Sequence, residues 1–153
     1  MKASSVSAFA NPLETKAMKI LGAVGLLHQR TRKRRSKDVD MVFGRHDFPF
    51  GAWNVRFKAC DELTLDDVAT EVGIAQGDGN HIALVASTGE VNPAARRYAA
   101  YVSANTRFQV IVLDGDDLAR MARRRRCVRQ TLTAQTALVS LLPDAKNLRQ
   151  QPQ

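Results

Sequence analysis

The feature that most constrains the fold is a pair of short apolar runs separated by a helical segment. The first run is His81-Ile82-Ala83-Leu84-Val85-Ala86, and the second is Gln109-Val110-Ile111-Val112-Leu113. Runs of this length and composition are typical of strands that are buried on both faces. Asn92-Pro93 starts a helix between them, predicted over Ala94 to about Asn105. Two buried strands linked by a helix predict a parallel pair with a right-handed crossover, within a mixed α/β sandwich.

A β-hairpin is predicted ahead of this unit. Asp38 to Phe43 and Trp53 to Ala59 are rich in β-branched and aromatic residues and alternate in polarity, and Gly, Asp and Pro occur in the segment between them. Alternate side chains of a strand point to opposite faces. The second strand therefore turns Trp53, Val55, Phe57 and Ala59 toward a core and Asn54, Arg56 and Lys58 away from it. The first strand separates Asp40 from its apolar neighbours in the same way, so Asp40 and Lys58 are predicted on one open side of the sheet.

Local signals place three further helices. Asn11-Pro12-Leu13-Glu14 is a helix start, and Thr64-Leu65-Asp66-Asp67 is a capping box for a helix that ends around Gly77. Asp114-Gly115-Asp116 turns the chain into a helix over Asp117 to Arg126. The predicted order is helix, hairpin, helix, strand, helix, strand, helix.

The charge of the chain favours a polyanionic partner. The 153 residues carry a formal net charge of +8, which favours nucleic acid ahead of membrane lipid. Between residues 30 and 37, six of the eight positions are cationic. Such a run either forms a solvated loop or contacts phosphates. Its place directly before the strand with Asp40 favours phosphate contact. The candidate phosphate contacts in this run are Arg30, Arg32, Lys33, Arg34, Arg35 and Lys37.

Composition also bounds the compartment and the domain organisation. Two cysteines without metal-ligand spacing indicate a reducing compartment, and no targeting signal or membrane span is present, so a cytoplasmic protein is predicted. We expect a flexible N-terminus over 1–10, one domain over 11–126, a helical extension over 127–143 and a disordered tail over 144–153. The apolar residues of the extension could pack on the domain or on a second copy of the chain, which leaves a homodimer open.

Several motifs together resemble a known nuclease family. Asp38-Val39-Asp40-Met41-Val42 looks like its acidic strand, and Val55-Arg56-Phe57-Lys58 lies where its Glu-x-Lys or Gln-x-Lys strand would be. Val85-Ala86-Ser87-Thr88-Gly89 with Asn92-Pro93-Ala94-Ala95-Arg96, and then Val112-Leu113-Asp114-Gly115-Asp116-Asp117-Leu118-Ala119, are similar to its later strands and helices. Over roughly residues 11 to 122 the chain resembles the Mrr-like branch of the PD-(D/E)xK superfamily. The resemblance implies a restriction-endonuclease-like three-layer sandwich, with a mixed central sheet flanked by helices, and duplex DNA as partner.

The resemblance also implies site residues. Such nucleases cleave phosphodiesters with Mg²⁺ held by acids, next to a lysine that activates water. Asp40 and Lys58 match these positions, but Arg56 stands where the second acid or amide belongs, and a guanidinium repels a cation. Glu71, thirteen positions after Lys58, is where some members supply a migrated acid. Alternatively, Glu71 lies on the solvated face of its helix and has no role in a site.

Three hypotheses follow. In the first, the protein binds DNA with impaired or lost cleavage and needs no cofactor, and Arg56 contacts the nucleic acid with the basic run. In the second, it is an active Mg²⁺-dependent endonuclease in which Asp40 and Glu71 bind the metal and Lys58 is the base. In the third, it is a non-enzymatic assembly or regulatory subunit that binds an acidic protein. Whether the chain is an enzyme stays open at this point.

Overall fold

We describe the fold from a computed structural model, which defines residues 12–34, 38–44, 52–124, 127–128 and 130–131. The predictions for the N-terminus (1–10) and the tail (144–153) lie outside these residues, as does most of the predicted extension over 127–143. Among the described residues, helices and strands follow one another along the chain, named here in order. They are α1 (Pro12–Gly22), β1 (Leu27–Arg34), β2 (Val39–Gly44), β3 (Trp53–Lys58), β4 (Glu62–Leu63), α2 (Leu65–Gly77), β5 (Ile82–Ser87), β6 (Glu90–Val91), α3 (Pro93–Asn105), β7 (Gln109–Leu113) and α4 (Gly115–Arg123).

A mixed sheet forms the centre of the described chain, with the strand order β1-β2-β3-β5-β7. The pairs β1–β2 and β2–β3 are antiparallel, so the predicted hairpin is confirmed. The pairs β3–β5 and β5–β7 are parallel, and the latter confirms the predicted parallel pair. The short strands β4 and β6 form a separate parallel pair.

Two hydrophobic cores lie on opposite faces of this sheet. Residues of α1 and α4 pack with one set of strand side chains, among them Val55, Phe57 and Leu84. Residues of α2 and α3 pack with the other set, among them Val85 and Val112. The alternation within each strand supplies both cores. The predicted three-layer α/β sandwich with a mixed central sheet is therefore confirmed.

The structure also contains strands that were not predicted, and the longest of them is β1. The cationic run was not predicted as a strand, yet Leu27–Arg34 is β1, paired with β2 through two register shifts. Strand residues are usually β-branched or aromatic, and this segment is mostly charged. It is a strand because β2 supplies its hydrogen-bonding partners, and its charges suit the edge of a sheet.

One helix boundary also differs from the sequence prediction. The last predicted helix was expected to reach Arg126, but α4 ends at Arg123. Arg124 has extended backbone angles (φ −138°, ψ 120°) and closes the helix with its N–H bonded to the Arg120 carbonyl. The helix therefore ends before the run of arginines does.

Candidate functional site

The candidate site lies on the face of β2 and β3 that is turned toward α2. Asp40 of β2 is directly opposite Arg56 of β3 in the antiparallel register. Arg56 is in turn beside Val85 of β5, whose side chain belongs to the core under α2 and α3. The side of the sheet that was predicted to be open is therefore partly covered by α2, which brings further acids to the site.

Arg56 is the centre of this site. Its Nε lies 3.6 Å from Oδ1 of Asp40, and its Nη2 lies 4.0 Å from Oδ2 of Asp38. The Arg56 side chain is 16% exposed, so these interactions are only partly screened by water. Asp38 also accepts a hydrogen bond of 3.1 Å from the backbone N–H of Ala59. The acids at the start of β2 are thus held against an arginine.

Glu71 approaches the same site from α2. It is 1% exposed, which contradicts the alternative of a solvated helix face, and its Oε2 has no hydrogen-bond partner within the described part of the chain. Burial, followed by the charge of Asp40, raises the pKa of Glu71 to about 7, although Arg56 and Arg32 oppose the shift. In the folded protein this carboxyl therefore keeps its proton to a higher pH than an exposed glutamate does.

Lys58 is held at the other end of the site by an acid that was not predicted to belong to it. Its Nζ donates to Oδ1 of Asp67 at 2.5 Å, while Oδ2 of Asp67 accepts from the backbone N–H of Thr64. Burial raises the pKa of Asp67, but the hydrogen bonds from Lys58 and Thr64 outweigh it, and the net result is a lowered pKa. The available sequence signal was the spacing of Asp67 and Glu71, four residues apart on one helix.

Two residues of the cationic run interact with the C-terminal end of α2. Oδ2 of Asp78 accepts from Nη1 of Arg32 at 2.7 Å and from Nδ2 of the buried Asn54 at 2.9 Å. Arg30 lies 3.7 Å from the same oxygen, but its side chain is 60% exposed. Asn80 completes the cluster by donating to Asn54 at 2.7 Å. Arg32 therefore stabilises the packing of α2 on β1 and β3, and Arg30 keeps most of its surface in water.

The remaining residues of the cationic run are not placed. The side chains of Lys33 and Arg34, and the whole of Arg35 and Lys37, lie outside the described part of the structure. Their predicted contact with phosphate stays a prediction. The same holds for the catalytic and metal-binding roles predicted for Asp40, Lys58 and Glu71.

The architecture and the site together define a class of protein. A mixed five-stranded sheet in the described chain, layered between helices, with Asp40, Arg56 and Lys58 on one face, has the organisation of a restriction-endonuclease-like α/β protein. A family model described as a restriction endonuclease, the Mrr catalytic domain, matches residues 11–122. The chain belongs to this family. A search among curated proteins finds no match. No helix within the described residues is long and apolar enough to cross a membrane.

The family implies Mg²⁺, and the residues of the site can be compared with what that ion needs. Mg²⁺ takes oxygen ligands in near-octahedral geometry. Within the described ranges, no group of three or more His, Cys, Asp or Glu side chains is placed to hold a metal. The guanidinium of Arg56 lies 3.6 Å from Asp40, and its charge would repel a divalent cation by a few kcal/mol at such distances. In this arrangement the site does not fit Mg²⁺.

Proposed function

We propose that the protein binds duplex DNA and that its phosphodiester cleavage is impaired or lost. The observation that carries the second part is the ion pair between Arg56 and Asp40. An acid that faces a fixed guanidinium has its charge already neutralised, and the guanidinium itself cannot ligate a cation. The ion pair of Lys58 with Asp67 of α2 supports the same conclusion, because the lysine that would activate water is already paired with an acid.

DNA binding is supported by family membership and by charge. The chain has a net charge of +8, and Arg30 presents an exposed guanidinium on the edge strand beside the site. Each cation that contacts a phosphate releases counterions, so binding of this kind gains affinity without reading sequence. In this proposal the cationic strand β1 contacts the DNA backbone.

Plasmid cleavage and duplex binding, measured on the same preparation, test the proposal. The wild-type protein and Lys58→Ala are incubated with supercoiled plasmid and Mg²⁺ or Mn²⁺, and a labelled duplex is titrated with each at low salt. We expect intact plasmid with both proteins and retention of the duplex by the wild type.

The other outcomes identify the alternative functions. Cleavage by the wild type that is lost in Lys58→Ala would show an active endonuclease, with Asp40 and Glu71 as the acids to test next. Failure to retain the duplex at low salt would overturn the DNA-binding proposal. It would favour the assembly or regulatory subunit, whose basic surface meets an acidic protein.

A further inference from the structure

An apolar groove lies between α1 and α4, on the side of the sheet opposite to the candidate site. It has a volume of about 550 Å³, and the residues that line it include Met18, Gly22, Met121 and Val128. Met18 is 40% exposed, and a Cβ atom added to Gly22 would meet nothing within 4 Å. Among the described residues, apolar surface and free space are therefore left open over the end of α1.

The chain itself leads into this groove. After α4, residues 127–128 and 130–131 have helical backbone. Val128 lines the groove and is 1% exposed, and Thr131 is 7% exposed. Residues three positions apart lie on one face of a helix. The helical stretch that begins here therefore turns the face with Val128 and Thr131 toward the domain.

The sequence that follows continues the same face. Residues 132–142 lie outside the described part of the structure, but Leu132, Val139 and Leu142 come 4, 11 and 14 positions after Val128. This is the spacing of one helical face, whereas Ser140 falls on the other side. An isolated helix of this length is only marginally stable in water, so such a segment needs a surface on which to pack.

We propose that residues 132–142 pack as a helix in the groove of their own chain, with the apolar face against Met18 and Gly22. Packing there removes the apolar face and Met18 from water together, which favours the docked state. Because Val128 is already part of the groove, the segment that follows is held close to it, at an effective concentration in the millimolar range. A second copy of the chain has to reach the same groove from free solution.

Hydrogen–deuterium exchange of the whole chain, with mass spectrometry of peptides from residues 132–142, tests the inference. In the wild type we expect protected amides in this segment, to the same extent at every protein concentration. Gly22→Trp fills the groove and should lower the protection by about tenfold or more. Gly73→Trp is the matched control, because Gly73 is also an exposed helical glycine with open space around it. It lies on α2, across the sheet, and its substitution should leave the protection unchanged.

A second pair of variants changes the segment and leaves the described core untouched. Val139→Asp puts a charge on the face that is predicted to pack, so it should lose protection as Gly22→Trp does. Ser140→Asp puts the same charge on the other face and should keep the protection. This pair decides the question even if Gly22→Trp does not fold.

Several results would overturn the inference. They are a wild type without protection in 132–142, a folded Gly22→Trp or a Val139→Asp that keeps full protection, and an equal loss in the control variants. Protection that rises with protein concentration, together with a dimer in size-exclusion chromatography, would assign the groove to a second copy instead. Because the groove lies across the sheet from Arg56, each of these results leaves the proposed function standing.

Discussion

At the scale of the residue, Glu71 links the geometry of the site to the pH dependence of stability. Its pKa is raised from 4.5 to about 7, first by burial and then by Asp40, with Asp78 adding to the shift and Arg56 and Arg32 opposing it. The folded chain therefore holds a proton that the unfolded chain has released between these two pH values. The consequence is that stability falls as the pH rises through this window, since above it the ionised carboxylate stays buried.

Glu71→Gln should remove this dependence. The difference between 4.5 and about 7 corresponds to about 3 kcal/mol. On going from pH 5 to pH 8 the wild type should therefore lose up to about that amount of stability, and the variant should not lose it. Urea unfolding at both pH values measures it, with the exposed Glu90→Gln as control. Identical pH profiles for the wild type and Glu71→Gln would contradict the prediction, because they would show that ionising the buried Glu71 carboxyl does not lower the free energy of unfolding.

At the scale of the element, the start of α2 contains both a helix cap and the acid that pairs with Lys58. Thr64 and Asp67 form a reciprocal capping box, and Asp67 also accepts from Lys58. We expect Asp67→Ala to lower the free energy of unfolding by about 1 to 2 kcal/mol, because the cap and the ion pair are lost together. Asp66→Ala, in the same first turn but exposed, should cost much less. Urea unfolding compares the two, and equal losses would mean that only the negative charge near the helix start matters.

The same elements show what the sequence could and could not predict. The α2 cap, the strands β5 and β7 and the shared face of Asp40 and Lys58 depend on local spacing, so they were predicted correctly. The strand β1 depends on pairing with β2, and its charged composition gave no local signal. The burial of Glu71 and the cluster around Asp78 depend on how α2 lies across the sheet, which no local pattern specifies.

At the scale of the whole molecule, part of the positive charge is used internally. Described ion pairs engage cations at several points of the fold, among them Arg32 with Asp78, Arg56 with Asp40, Lys58 with Asp67, Arg96 with Asp114 and Arg120 with Asp117. The total of 23 lysines and arginines therefore overstates how many cations are available to a phosphate backbone, because the paired ones are already neutralised. Cations that keep their exposure, such as Arg30 on the edge strand, carry more of the proposed binding than Arg32 does.

Salt dependence tests this distribution of charge. The logarithm of the duplex association constant should fall linearly with the logarithm of salt concentration, with a slope of about −0.9 for each phosphate neutralised. Arg30→Ala should make that slope shallower by about 1 and weaken binding to all sequences alike. Lys19→Ala is the matched control, because this exposed lysine is on α1, against the opposite face of the sheet.

Equal effects of the two substitutions would show that the duplex has no preferred face, and an unchanged slope in Arg30→Ala would remove β1 from the contact surface. If only Arg30→Ala changes the slope, the duplex lies along β1, on the side of the sheet where Arg56 and the acids meet.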